Sequence, residues 1–312
     1  MFENKEMRAI FGDFLKEEMA KNDKIVVLDA DLARANGTMN LRNLYPDRAI
    51  DVGIAEQNMA SIAAGMASYG YLPFISSFTP FATRRICDQI AISICYANLN
   101  VKIIGSDPGI SAEYNGGTHM SLEDIGVLRS IPNLVIYEPV DAMQFYKSLP
   151  HILKYEGPMY IRMFRKVAPQ VFDEYYEFDL FKADVVKKGY DVTVIASGIM
   201  VNETLKACEI LEKEGISVEV INVHTIKPID EETIINSLKK TKACVVCENH
   251  NLIGGLYSAV SEVLCEKLPM KVEKIGVKDR FGEVGKMPYL KEIMGMTTED
   301  IVSAVKRAIE NK

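Results

Sequence analysis

Short β-branched runs separated by helix-compatible stretches set the fold of this 312-residue chain. "KIVVLDA" (24–30), "LPFISS" (72–77), "VKIIGS" (101–106), "LVIYE" (134–138) and "MYIRMF" (159–164) form one series. "DVTVIAS" (191–197), "SVEVINV" (217–223), "KACVVCE" (242–248) and "KVEKIGV" (271–277) form a second. The runs are continuously apolar rather than alternating, which suits strands covered on both faces. Strands alternating with helical patterns predict an α/β fold, with mostly parallel sheets flanked by helices in each of two domains. Between the series, "KVAPQVFDEYYEFDLFKADVVKKGYD" (166–191) is charged and aromatic and has no clean period. It reads as a connection, giving domains over 1–165 and 185–312 with a linker over 166–184.

A composition of 48% hydrophobic and 25% charged residues supplies core for both domains and excludes a disordered chain. The net charge of −7 argues against non-specific binding to nucleic acid or an anionic membrane. No apolar run approaches the roughly 20 residues of a membrane span, and the N-terminus lacks the basic-then-apolar order of a signal peptide. The expectation is a cytoplasmic protein. Cys244 and Cys247 form a C-x-x-C, but inside the apolar run "ACVVC" and with no second pair to complete a zinc site, so they read as core thiols.

Ligands of parallel sheets bind beyond the carboxyl ends of the strands, which singles out 29–38, 53–58, 76–85, 105–120 and 138–141. In "DVGIAEQNMAS" (51–61) a short strand-like stretch leads into the Ala-rich helical run 58–67, with the ionisable Glu56 at an apolar joint. Asp29 and Asp31 follow another strand, where a helix N-cap with a solvated partner is the plain structural reading. Phe78 and Phe81 flank Pro80 where a helix is expected to begin; on pattern alone they would be core. "GSDPGISAEYNGGTHM" (105–120) is glycine-rich, allows close backbone approach to a ligand, and ends near His119. His151 reads as a helix-surface residue, His224 and His250 as loop residues. No Gly-x-Gly-x-x-Gly, Walker-type loop or Gly-x-Ser-x-Gly turn follows a strand, so hydride transfer, phosphoryl transfer and α/β-hydrolase chemistry lose their usual signatures.

Seven stretches in order resemble the C-terminal half of transketolase, and most of all the smaller subunit of split transketolases. They are "LDADLA" (28–33), "DVGIAEQNMASIAAGMA" (51–67), "PFISSFTPFATRR" (73–85), "GGTHMSLEDIGVLRSIPNL" (116–134), "GPMYIRMFR" (157–165), "NVHTIKPID" (222–230) and "ENHNLIGGLYSAVSEVL" (248–264). The resemblance implies a pyrimidine-binding domain followed by the transketolase C-terminal domain. It implies thiamine diphosphate shared at an interface, with Mg²⁺ held by a Gly-Asp-Gly motif on another chain; the nearest approach here is Gly12-Asp13-Phe14. This chain would then supply no metal ligands. Its partner would be an N-terminal subunit carrying that motif, in a dimer of heterodimers acting on a sugar or sugar phosphate.

Residue by residue, Glu56 matches the acid that hydrogen-bonds pyrimidine N1′. That bond favours the imino tautomer, whose nitrogen takes the thiazolium C2 proton; burial among apolar residues helps keep such a carboxyl neutral. Phe78 and Phe81 match the aromatic wall on the pyrimidine face, and Arg84 stands where many full-length transketolases carry a third aromatic. Asp31 matches the acid near the thiazolium. His119 matches the histidine that meets substrate oxygens and can shuttle a proton. Arg8 and Arg165 match arginines that hold a sugar phosphate. Around them the family pattern is broken. Asp107 replaces a phosphate-facing histidine, Ala35 a serine, and Asn115 an acid that reads the donor hydroxyl. The resemblance therefore implies two-carbon ketol transfer from a ketose to an aldose, with either a donor or acceptor other than an ordinary pentose or hexose phosphate, or a phosphate that lies elsewhere in the site. The alternatives are a deoxyxylulose-phosphate-synthase-like subunit, a 2-oxoacid dehydrogenase β-type subunit, or a non-catalytic subunit that keeps the fold.

Overall fold

The computed structural model describes residues 4–312. The chain forms two compact units, one reaching residue 108 and resuming over 127–178, the other combining 109–126 with 179–312. The glycine-rich segment 109–126 thus belongs with the second unit, although it interrupts the first in sequence.

In the first unit the strands are β1 (Ile25–Asp29), β2 (Ala49–Asp51), β3 (Leu72–Phe78), β4 (Lys102–Ser106), β5 (Val135–Tyr137) and β6 (Met159–Met163). They lie in the order β5-β6-β4-β3-β1-β2, every pair parallel. All residues of β1, β4 and β6 are buried, which is why these runs carry no polar alternation. From β1 the chain moves outward to β2 and then back to β3 on the opposite side. The carboxyl ends of β1 and β3 therefore flank the point where the winding reverses, the usual place for a ligand crevice.

The strand leading to Glu56 is Ala49–Asp51, two residues earlier than the sequence pattern implies, and the helix Glu56–Ser68 begins at the acid itself. After β3 the chain does not enter an α-helix at Phe81. It turns, makes a 3₁₀ turn over Arg84–Ile86, and then a π-helical segment over Gln89–Cys95. The aromatic stretch after β6 lacks periodicity because it is a strap. The Asp141 carboxylate accepts from the Val171 and Phe172 amides, and Phe178 packs edge-on against Tyr137 and His151.

The helix Met7–Lys21 crosses the short helix Ala33–Asn36 through glycine. Gly37 caps the latter in the left-handed region at φ 83°, and a Cβ there would stand 2.2 Å from the Arg8 carbonyl oxygen. Gly37→Ala is therefore expected to cost about 2–4 kcal/mol, from the strained backbone and the clash together. Urea denaturation checks it; a loss under about 0.5 kcal/mol would contradict the close approach.

The second unit holds β7 (Asp184–Lys187), β8 (Val192–Ala196), β9 (Val218–Asn222), β10 (Thr225–Lys227), β11 (Cys244–Asn251) and β12 (Val272–Val277). Its sheet runs β12-β11-β8-β9-β7, parallel except for β7, which pairs antiparallel with β9 at the edge. β7 has no fully buried residue, and β10 is three residues long, so neither shows the apolar run that marks the other strands. Cys244 and Cys247 sit in β11, and burial pushes the Cys247 thiol up to about 12 and that of Cys244 higher still. They are inert core groups. No helix among the described residues is long and apolar enough to cross a membrane.

Candidate active site

At the carboxyl ends of β1 and β2, Asp29, Asp51 and Arg42 lock the backbone. The Asp29 carboxylate accepts from the Leu32 and Ala33 amides and from Arg42 Nη2 at 2.7 Å, while Arg42 also reaches Asp51 at 3.0 Å. Burial would push the Asp51 carboxyl up, but the Gly53 and Asp31 amides, with Arg42, hold it below the usual carboxylate range. Asp29 is thus structural, but not as the helix cap with a solvated partner that the pattern suggests: the N-cap position of Ala33–Asn36 is Leu32, and Asp29 is buried at the strand end. Asp31 is held in the left-handed region at φ 60°, its amide on Asp51 and its side chain exposed.

Glu56 is 4% exposed, at the first position of its helix, where the dipole favours a carboxylate. It is not isolated among apolar groups as the sequence pattern implies. Arg85 Nη1 donates to its Oε1 at 2.6 Å, and the same guanidinium lies over the Phe81 ring, 3.8 Å from the centroid. Gln57 Nε2 donates to the Arg85 carbonyl at 3.2 Å, tying this turn to the Glu56 helix. Phe78 and Phe81 are half-buried, with centroids 6.4 Å apart and planes at 54°. Arg84 is exposed on the same turn. Sequence reasoning singled out Arg84 and missed Arg85; the available signal was the second of two consecutive arginines after the aromatic pair.

Arg8, Arg165, Ala35 and Asp107 also come together in the first unit. Arg8 Nη1 and Arg165 Nη1 both donate to the Ala35 carbonyl at 3.4 Å, and the Arg8 amide donates to the Arg165 carbonyl. Each arginine already has a carboxylate. Arg8 Nε meets Glu6 at 2.8 Å, and Arg165 Nε meets Asp107 Oδ2 at 2.5 Å. Asp107 is 1% exposed, at φ 53°, and its Oδ1 is buried with no hydrogen-bond partner. Burial pushes its carboxyl up against the opposing pull of Arg165 and Lys166. The fifth post-strand segment carries no open site of this kind, since Glu138 pairs with fully buried Arg162 at 2.5 Å.

His119 and Asn115 lie in the second unit. His119 is half-buried, with Nδ1 2.9 Å from Thr118 Oγ1, and Asn115 is exposed at the end of a 3₁₀ segment. The loop carrying them is braced by β11. The Ile110 amide donates to Asn249 Oδ1, the Asn251 amide to the Leu122 carbonyl, and the Gly126 amide to His250 Nε2. Glu248 in turn accepts the Leu256 and Tyr257 amides at the start of the next helix. The "ENHN" motif (248–251) thus ties down the loop that carries His119.

Two family models match in succession, "Transketolase, pyrimidine binding domain" over residues 3–170 and "Transketolase, C-terminal domain" over 181–301. The chain belongs to the transketolase family. The transketolase subunit of Clostridium sp. (strain MSTE9) named 6-deoxy-6-sulfo-D-fructose transketolase subunit SqwH is 50% identical, over 98% of this chain and 95% of that protein. A putative transketolase C-terminal section of Methanocaldococcus jannaschii is 39% identical, over 99% and 98% of the two chains. A solved split-gene transketolase, described as an inactive beta4 tetramer, is 41% identical with a TM-score of 0.89, covering 98% of this chain and 99% of its own. This chain is thus a transketolase-type transferase subunit with the pyrimidine-binding and C-terminal domains of the family, the domain content of the C-terminal section of a split enzyme.

Proposed function

We propose that this subunit supplies the aminopyrimidine half of a thiamine diphosphate site, in a complex with an N-terminal subunit that carries the Gly-Asp-Gly motif and Mg²⁺. Thiamine diphosphate, the family's cofactor, would when bound supply the nucleophilic carbon needed for transfer of a two-carbon ketol unit from ketose to aldose. The residues fit it. Glu56 and Phe81 already hold a planar N–H donor between carboxylate and ring, in the form of Arg85. In this assignment Glu56 accepts from or donates to N1′, Phe78 and Phe81 wall the pyrimidine, and Arg84 borders them. Asp31 lies toward the thiazolium, and His119 and Asn115 meet substrate oxygens. Among the described residues no three metal-binding side chains come together. The assembly is a dimer of heterodimers, the compartment the cytoplasm.

The substrate class rests on one observation, that the two arginines meant for a terminal anion are each paired with an internal carboxylate. A phosphate dianion gains little from such a neutralised pair. A sulfonate carries a single charge, and the similar SqwH protein is named for 6-deoxy-6-sulfo-D-fructose. The donor is accordingly a ketose ending in a monoanion of that kind. Specificity constants of the two-chain complex are expected to favour 6-deoxy-6-sulfo-D-fructose over xylulose 5-phosphate by at least about tenfold, roughly the weight of one favourable charge interaction. Full activity on xylulose 5-phosphate with ribose 5-phosphate would sink the substrate assignment. Pyruvate decarboxylation in place of ketol transfer would sink the reaction class.

A further inference from the structure

Arg85 makes, at one time, both contacts assigned above to the aminopyrimidine. Its Nη1 donates to Glu56 Oε1 at 2.6 Å, and its flat guanidinium covers the Phe81 ring at 3.8 Å from the centroid. A guanidinium and an aminopyrimidine share the features this corner selects. Both are planar, both present N–H or N⁺–H edges to a carboxylate, and both stack on an aromatic face. The face of Phe81 that Arg85 covers is the one from which a planar group can also reach Glu56, and a separation of 3.8 Å leaves no room for a second layer. The Arg85 side chain is nonetheless 42% exposed, so it has solvent to swing into, while Glu56 is 4% exposed and has not.

We infer that Arg85 is an internal stand-in for the aminopyrimidine, which occupies the Glu56–Phe81 corner and must be displaced for thiamine diphosphate to bind. The inference rests on the proposed placement of the pyrimidine at Glu56 and Phe81. Arg85 keeps the buried carboxylate paired, sparing it the cost of burial without a donor. It also competes with the cofactor. A site whose competent form is only about a tenth of the population binds about tenfold more weakly than its intrinsic affinity.

The test is calorimetric titration of thiamine diphosphate, at saturating Mg²⁺, into the complex of this chain with its N-terminal subunit. Arg85→Ala is expected to lower Kd about 5- to 20-fold. Adding millimolar guanidinium to the Arg85→Ala complex should raise Kd again, with ionic strength matched by NaCl, and should leave the wild-type complex unchanged. An arginine that merely supported the turn would give no such guanidinium effect. An unchanged or raised Kd in Arg85→Ala, while the wild-type complex binds saturably, overturns the stand-in and leaves the cofactor assignment intact. A wild-type complex that binds no thiamine diphosphate overturns the assignment itself.

Discussion

Glu56→Gln lowers kcat of the two-chain complex by about 10²–10⁴-fold, the range expected when a positioned proton-transfer group is lost. Glutamine keeps the shape and one hydrogen bond, but it cannot exchange a proton with N1′. The position offers no substitute acid. Asp29 and Asp51 are locked by Arg42 and backbone amides, and Asp31, its backbone amide held by Asp51, has an exposed side chain unlike the buried Glu56 carboxylate. The measurement is steady-state turnover, with complex assembly checked beside it. Turnover within about tenfold of wild type would show that this chain does not supply the acid, and would favour a non-catalytic subunit that keeps the fold.

Asp107→Asn is the second large effect, and its signature is a change of preference. At about 5 Å and an effective dielectric near 20, one carboxylate charge opposes each substrate charge by about 3 kcal/mol. A dianion feels that opposition twice as strongly as a monoanion. Removing the charge also leaves the Arg165 guanidinium without its neutralising counter-charge. Relative kcat/KM for phosphorylated over sulfonated donors is therefore expected to rise roughly tenfold to a hundredfold, mostly through KM. Equal gains on both donors would mean that Asp107 does not discriminate terminal charge.

The parallel core of this fold was legible because its strands are buried on both faces and carry unbroken apolar runs. β1, β3, β4 and β6 coincide closely with the expected stretches. β7 and β10 were not, being short and partly exposed, with too few apolar residues to form a pattern. Glu56 stood out as an acid where the pattern wanted none. Arg85 did not, because a surface arginine beside another looks like any solvated charge until folding sets its plane on Phe81. The pairing of Arg165 with Asp107 was equally hidden; the residues are 58 positions apart, and only the adjacency of β4 and β6 unites them. Asn249 under the His119 loop reflects a contact spanning 139 positions, beyond any local pattern.

The left-handed backbone at Asp107, φ 53°, restricts its evolution more than its chemistry does. Besides glycine, the side chains that enter this region most readily are Asn, Asp and His. The histidine that the family resemblance places here and the aspartate found here are thus drawn from the same short roster, and their codons differ at one base. A lineage could cross between them without passing through a residue the backbone rejects. On the proposed role of Asp107, terminal-group preference is then a trait that a single mutation would toggle, with the scaffold beneath it unmoved.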